Sequence, residues 1–196
     1  MYDIQLVSIV IPTNNDANSI NLLTKEIMEV MSLTIYKYEI IFINYGKDKY
    51  SWETICRLSD NFSAVRGIHI EGNYNQTSAL QSCFSFVKGD VIVLMNGNMA
   101  HDPAYIPVFL AYVERGYEVV CGLRKPQQSE SMLASLITNM AQKLIFTIAG
   151  TNVKYFGATY KAYRRYLLED DKQTRKETRM MDVPIKFRER KVIFAY

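Results

Sequence analysis

Runs of apolar residues alternate with amphipathic segments along most of the chain. The runs at Leu6–Pro12, Tyr38–Ile43 and Val91–Met95 are typical of strands that are buried on both faces of a parallel sheet. Between the first two runs, Ser19–Met31 carries apolar residues at the spacing of a helix. Strands and helices that alternate in this way predict an α/β domain with a mostly parallel central sheet.

The same patterns predict the other elements. Helices are expected around Trp52–Asn61, from the turn at 72–75 to about Val87, from Pro103 to about Arg115 and over Met132–Ile148. Strands are expected at Val65–Ile70, Glu118–Gly122, near Ala158–Ala162 and around Val183–Phe187. These elements fill residues 1–196 as a single domain, and no run reaches the roughly 18 apolar residues that a transmembrane helix needs.

Polar turns follow the three apolar runs. Asn14 and Asp16 come after the first run, Asn44–Lys47 after the second, and Asn96–Asn98 after the third. In open α/β sheets, ligands bind just beyond the carboxyl ends of the strands. A substrate site is therefore expected where these turns meet, with Asp48 and Asp102 as caps of the helices that follow them.

Composition narrows the class of protein and its compartment. A net charge of +3 is too small to indicate a nucleic-acid partner, and two histidines make a zinc site improbable. Three widely spaced cysteines without a Cys-x-x-Cys pair fit reduced thiols in a cytoplasmic protein. The N-terminus has neither the charged leader nor the apolar core of a signal peptide.

Several stretches, in their order and spacing, resemble glycosyltransferase family 2, and most of all its dolichyl- or undecaprenyl-phosphate sugar transferases. These stretches are Val7–Asp16, Tyr38–Ile43, Asn73–Leu80, Lys88–Met95, Cys121–Lys125, Phe156–Arg165 and Val183–Arg190. The resemblance implies the GT-A fold, a nucleotide sugar as donor, and a lipid phosphate or a membrane surface as a further partner.

The departures from the family pattern fall on its acids. The family's Asp-x-Asp, which holds a metal, is Asn96-Gly97-Asn98 here, and its Asp-Asp-Gly-Ser is Asn44–Lys47. An acid expected before Phe156 is Tyr155, whereas Asp16 keeps an acid where the family has Glu. Mg²⁺ and Mn²⁺, the family's usual ions, prefer anionic oxygen ligands. We therefore expect no metal cofactor and impaired catalysis.

By the resemblance, candidate binding residues fall into two groups. Nucleotide-sugar binding is expected at Pro12, Asn14, Asp16, Asn44, Gln76, Asn96, Gly97 and Asn98. Acceptor or phosphate binding is expected at Arg164, Arg188 and Arg190, although a solvated basic face explains these arginines equally well.

Alternatives to an impaired transferase remain open. One is active, metal-independent sugar transfer to a lipid phosphate, with Lys47 and Arg124 stabilising the departing diphosphate. Another is a scaffold or regulatory subunit of an active homologue, or a homo-oligomer, docking through Met132–Ile148. Such a protein would be cytoplasmic or peripheral at the inner membrane face.

The turn after the third run and the histidine that follows it also have structural explanations. Asn96-Gly97 is typical of a tight turn with positive φ, and His101 matches a family histidine but could be structural. The deciding feature is the space beside Asn96 and Asn98. It is either an open cleft with basic groups or a cleft filled by Tyr45 and Met99.

Overall fold

The computed structural model describes residues 3–14, 16–72, 76–124, 160–169 and 180–185. Its strands are β1 Leu6–Thr13, β2 Lys37–Asn44, β3 Val65–His69, β4 Val91–Leu94, β5 Val119–Arg124, β6 Lys161–Arg164 and β7 Met180–Ile185. Its helices are α1 Ala17–Ser32, α2 Lys49–Asn61, α3 Gln76–Cys83, α4 Ile106–Glu114 and α5 Tyr166–Glu169, with 3₁₀ turns at Phe84–Phe86 and Pro103–Tyr105.

The described strands form one sheet in the order β3-β2-β1-β4-β6-β5-β7. The pairs β2–β3, β1–β2, β1–β4 and β5–β7 are parallel, while β6 runs antiparallel to both β4 and β5. The predicted mostly parallel α/β architecture is therefore confirmed. The carboxyl ends of β1, β2 and β4 meet at one edge of the sheet, called the carboxyl edge below.

Alternation along β1 distributes the core between the two faces of the sheet. Val7, Ile9 and Ile11 are fully buried in the cluster that includes residues of α1, α2 and α4. Val10 points the other way and joins the cluster that includes residues of α3. Burying one such side chain contributes roughly 1.5–3 kcal/mol to folding, so the continuous apolar run of β1 fixes the centre of the sheet.

The elements differ from their predicted bounds chiefly after Gly122. The strand expected near Ala158–Ala162 is Lys161–Arg164, which pairs with β4 along its whole length and with β5 over residues 161–163. The strand expected around Val183–Phe187 is Met180–Ile185, in register with β5. The helix expected to reach Val87 ends at Cys83 and continues as a 3₁₀ turn. The predicted helix Met132–Ile148 lies outside the described residues.

Both predicted helix caps are confirmed. The Asp48 carboxylate accepts hydrogen bonds from the backbone N–H groups of Tyr50 (3.1 Å) and Ser51 (3.2 Å) at the start of α2. Asp102 accepts from Ala104 N–H at 3.0 Å, with Pro103 at the first position of its 3₁₀ turn. Among the described residues, no helix is long and apolar enough to cross a membrane.

A buried polar network lies at the opposite, amino edge of the sheet. Glu39 is only 8% exposed, and one carboxylate oxygen accepts from Ser8 Oγ at 2.6 Å and from Lys88 N–H at 3.0 Å. The other oxygen accepts from Arg66 at 2.8 Å. Gly89 N–H donates to Ser8 Oγ at 2.8 Å. These bonds tie β1, β2 and β3 to the loop before β4.

Candidate functional site

A cleft of about 220 Å³ opens at the carboxyl edge. It lies between the turn after β1, the turn after β2, the start of α3 and the turn after β4. Its lining residues are Pro12, Asn14, Asp16, Tyr45, Gln76, Asn96, Gly97 and Asn98. All the residues predicted to bind a nucleotide sugar lie here except Asn44, and their role in binding stays a prediction.

Asp16 supplies the carboxylate of the cleft. It occupies the cap position before α1, yet its side chain makes no capping hydrogen bond to that helix. One carboxylate oxygen instead accepts from Asn14 N–H at 2.9 Å, and the Asp16 N–H donates to Ser51 Oγ at 3.1 Å. These contacts turn the carboxylate towards the loop after β4.

Hydrogen bonds fix the two asparagines after β4. The side-chain oxygen of Asn96 accepts from Gln76 Nε2 at 3.3 Å. The side-chain oxygen of Asn98 accepts from Ala100 N–H at 3.1 Å, which closes a local turn. Both side-chain oxygens are thus already engaged within the protein.

Gly97 is needed for close packing and not for a left-handed backbone. A Cβ atom there would lie 2.9 Å from Thr13 Cγ2 and 3.1 Å from the Asp16 carboxylate, closer than ordinary contacts allow. The Gly97 carbonyl accepts a hydrogen bond from Ser19 Oγ at 2.6 Å. The positive φ expected at Asn96-Gly97 occurs instead at Met99, where φ is 61°.

The buried side chain of His101 supports the same turn from within the protein. It is 1% exposed, and its Nδ1 accepts the N–H of Asn96 at 3.0 Å. Its ring stacks on Tyr160 with centroids 4.8 Å apart, and the Tyr160 hydroxyl donates to the Asp102 carbonyl. Burial lowers the pKa of His101 to about 4, so the imidazole is neutral near pH 7 and Nδ1 remains an acceptor.

Tyr45 narrows the cleft without closing it. Its ring lines the cleft and packs against the core cluster that contains Ile43. Burial and then the nearby Asp16 carboxylate raise the pKa of Tyr45, so the phenol stays neutral. Met99 packs against the other core cluster. The cleft is therefore open, and none of its described lining side chains is basic.

Asn44 is not part of the cleft surface. It is 0% exposed, at the end of β2. Among the described residues, neither its amide nitrogen nor its amide oxygen has a hydrogen-bond partner. The Asn44 side chain is thus buried away from the cleft surface, and its contact with a ligand stays a prediction.

Lys47 lies in a separate groove. That groove, of about 790 Å³, runs between the start of α2 and the end of β3 and is lined by residues that include Trp52 and His69. The structure thus does not bring Lys47 to the turn that carries Asn96. Arg124 ends β5 at the same end of the sheet as that turn, and its backbone is described but its side chain is not.

Arg164 lies away from the cleft. Because β6 runs antiparallel to β4, Arg164 pairs with Val91 at the amino end of β4. Its guanidinium donates to the Val113 carbonyl of α4 at 3.2 Å. The structure therefore does not support a phosphate-binding role for Arg164 at this cleft. Arg188, Arg190 and Tyr155 lie outside the described residues.

Two side chains around the cleft were missed from the sequence, and a third, Tyr45, was considered only as a residue that would fill the cleft. Ser19 and Tyr160 have no signal in the chain, because each acts through a contact with a residue far away in sequence. Tyr45 had a signal, because it stands between Asn44 and Gly46 in the polar turn after the second apolar run. Among the described residues, no three His, Cys, Asp or Glu side chains form a group that could hold a metal ion.

Comparison with known proteins assigns the chain to a family. Residues 8–171 match glycosyl transferase family 2. The chain belongs to this family.

Among curated relatives, undecaprenyl-phosphate 4-deoxy-4-formamido-L-arabinose transferases of Photorhabdus laumondii and Yersinia pestis are 28% and 30% identical over 167 residues. These matches cover 85% of this chain and 51% of each relative. The chain thus spans about half the length of the curated relatives it matches.

Solved structures support the same fold. Mannosyl-3-phosphoglycerate synthase from Rubrobacter xylanophilus superposes with a TM-score of 0.70 at 15% identity, covering 95% of this chain and 67% of that one. Glucosyl-3-phosphoglycerate synthase from Mycobacterium tuberculosis, in complex with Mn²⁺, UDP and phosphoglyceric acid, gives 0.65 at 15% identity, with coverages of 95% and 72%. At these identities the likeness establishes the GT-A fold and nothing further.

Proposed function

We propose that this chain is a family 2 glycosyltransferase-like domain that binds a nucleotide sugar at the carboxyl-edge cleft but supports metal-assisted transfer poorly. Family membership supports the ligand class, as do relatives named for sugar transfer to undecaprenyl phosphate and a neighbour crystallised with Mn²⁺ and UDP. A lipid phosphate is by the same resemblance the class of acceptor.

The observation that carries the proposal is which oxygen ligands the turn after β4 offers to a metal ion. Divalent Mg²⁺ and Mn²⁺ prefer anionic oxygens, whereas the two residues at the family's metal position are amides. Their side-chain oxygens already accept hydrogen bonds from Gln76 and Ala100. Asp16 alone among the described lining residues offers a carboxylate. This set fits a divalent cation poorly.

The expected loss of metal affinity is large. Two unit charges of opposite sign 4 Å apart attract each other by about 4 kcal/mol at an effective dielectric constant of 20, before desolvation is subtracted. Since about 1.4 kcal/mol corresponds to a factor of ten, even half of that value lowers metal affinity more than tenfold for each carboxylate replaced. Effects of neighbouring ligands on one ion are not additive, so two replacements together weaken metal binding by more than tenfold.

Isothermal titration with UDP-glucose and GDP-mannose, in EDTA and in Mn²⁺, tests the proposal. We expect binding in EDTA and less than a threefold gain from Mn²⁺. The double variant Asn96→Asp, Asn98→Asp should gain at least tenfold from Mn²⁺. The matched control Asn21→Asp, Asn61→Asp adds the same charges at exposed helix positions and should behave like the original chain.

Two outcomes would overturn the proposal. Mn²⁺-dependent binding of the unaltered chain tighter than about micromolar would contradict the impaired metal site. Absence of binding to every nucleotide sugar would contradict the ligand class. Metal-independent transfer through Lys47 gains no support, because that lysine lines the separate groove beside Trp52.

A further inference from the structure

Asp16, Asp48 and Asp102 occupy the cap positions before α1, α2 and the second 3₁₀ turn, but only two of them act as caps. Asp48 (φ −76°, ψ 108°) and Asp102 (φ −90°, ψ 117°) have extended backbones, and their carboxylates accept from backbone N–H groups that follow them. This is the usual conformation of a capping residue. Asp16 has φ −107° and ψ 15°, and its side chain makes no capping hydrogen bond. Its conformation therefore depends on other contacts.

The Ser51 hydroxyl, in the first turn of α2, makes one of these contacts. Its oxygen donates to the Asp48 carboxylate at 2.6 Å and accepts from the Asp16 N–H at 3.1 Å. Because the single hydroxyl proton is directed at Asp48, a lone pair of the same oxygen is left to face Asp16. Ser51 is fully buried, and Ile55, one turn further along α2, is fully buried in the core. The backbone of Asp16 is thus tied to a helix that the core holds in place.

The conformation of Asp16 affects the wall of the cleft. One carboxylate oxygen accepts from Asn14 N–H at 2.9 Å and lies 3.1 Å from where a Cβ atom of Gly97 would be. Asn14, Asp16 and Gly97 all line the cleft. In the capping conformation, the carboxylate would instead accept from an N–H group in the first turn of α1. The two conformations of Asp16 would therefore give the cleft different walls.

We propose that Ser51 is a positioning residue of the cleft, whose hydroxyl keeps Asp16 in the conformation that lines the cleft instead of the one that would cap α1. Ser51 is buried and is not among the described residues that line the cleft, so it acts through Asp16. Without the hydroxyl, the Asp16 N–H loses this acceptor, while the cap of α1 still offers hydrogen bonds to the carboxylate. The inference rests on the proposed function, because its effect is measured on the binding of a nucleotide sugar.

Titration of UDP-glucose and GDP-mannose in EDTA measures the effect of Ser51→Ala. We expect binding of the sugar nucleotide to weaken by about fivefold, the factor that corresponds to one ordinary hydrogen bond. Ser51→Thr keeps the hydroxyl and should bind within about twofold of the unaltered chain. The matched control is Ser59→Ala, which removes a hydroxyl that donates to the Val65 carbonyl at 3.2 Å near the other end of α2. It should leave binding unchanged, and urea denaturation of each variant checks that the protein is folded.

A double-mutant cycle with Asp16 separates positioning from a general loss of structure. If Ser51 acts through Asp16, Ser51→Ala should weaken binding by less than about twofold when Asp16→Ala is already present. If the effects of the two substitutions simply multiply, Ser51 does not act through Asp16 and the inference is overturned. The same holds if Asp16→Ala leaves binding unchanged.

The remaining outcomes distinguish this inference from the proposed function. Unchanged binding in Ser51→Ala would overturn the inference while nucleotide-sugar binding stands. An equal loss in Ser51→Ala and Ser51→Thr would also overturn it, because packing around the side chain and not the hydroxyl would then be responsible. If the unaltered chain binds neither sugar nucleotide, both the inference and the proposed function fail.

Discussion

The two edges of the sheet differ in how their buried polar side chains are hydrogen-bonded. At the amino edge, both Glu39 oxygens are hydrogen-bonded within the protein, to groups on β1, β3 and the loop before β4. At the carboxyl edge, Asn44 is buried with no partner among the described residues, and Asp16 faces an open cleft. The amino edge thus satisfies its buried polar groups within the protein, whereas the carboxyl edge leaves one buried amide without a described partner and borders an open cleft.

The largest effect is expected from breaking the amino-edge network. Glu39→Gln leaves Arg66 without its carboxylate and forces an amide N–H against existing donors, which should lower the free energy of unfolding by about 3–5 kcal/mol. Urea denaturation measures this change. Glu29→Gln, which alters an exposed pair with Lys25, should change it by less than about 0.5 kcal/mol. If Glu39→Gln lowered the free energy of unfolding only slightly, the hydrogen bonds of the amino edge would not matter for folding, and the contrast between the edges would fail.

The burial of His101, which accepts a hydrogen bond from Asn96 at the cleft, should make the free energy of unfolding depend on pH. The folded-state pKa of His101 is about 4, below its ordinary 6.5, so the unfolded chain binds the proton first. Stability therefore falls as pH falls from about 6.5 towards 4, by roughly 3 kcal/mol in total. Unfolding in urea should show this loss and show it reduced in His101→Gln. The exposed His69→Gln should retain it, and an identical pH dependence in His101→Gln would contradict the assignment.

Close packing at Gly97 links the shape of the cleft to binding. Gly97→Ala places a methyl group against Thr13 and Asp16, which should displace the carboxylate and weaken sugar-nucleotide binding about tenfold, or about 1.4 kcal/mol. Titration calorimetry measures the change. Adding Thr13→Ser removes the nearer obstacle and should recover part of the affinity. Unchanged binding in Gly97→Ala would mean that the Asp16 position does not matter.

The smallest effect is expected at Asn44, where removing a buried polar side chain should stabilise the protein instead of destabilising it. Replacing an unpaired buried amide with an apolar group of similar shape removes a desolvation penalty, so Asn44→Leu should raise the free energy of unfolding by about 1 kcal/mol. Urea denaturation checks the sign. Asn44→Asp, which buries a charge at the same position, should be destabilising. A loss in Asn44→Leu similar to that in Glu39→Gln would mean that Asn44 is satisfied after all.

Much of the fold could be predicted from local sequence, but the site could be predicted only in part. The apolar runs before Pro12 and after Tyr38 identify buried central strands, because burial on both faces demands apolar residues at every position. The turns that follow them could be assigned to one edge of a parallel sheet. Which side chains of those turns face the cleft could not, because that depends on contacts between residues distant in sequence; Asn44, for example, is buried at the end of β2.

The sequence by itself determines the family, the α/β architecture and the asparagines in the turn after β4, since each depends on residue type and order along the chain. Only the tertiary structure places Lys47 in the separate groove and Arg164 beside the amino end of β4. It also packs the Asp16 carboxylate closely against Gly97. These features depend on strand direction and on contacts between residues distant in sequence. Local periodicity carries no information about either.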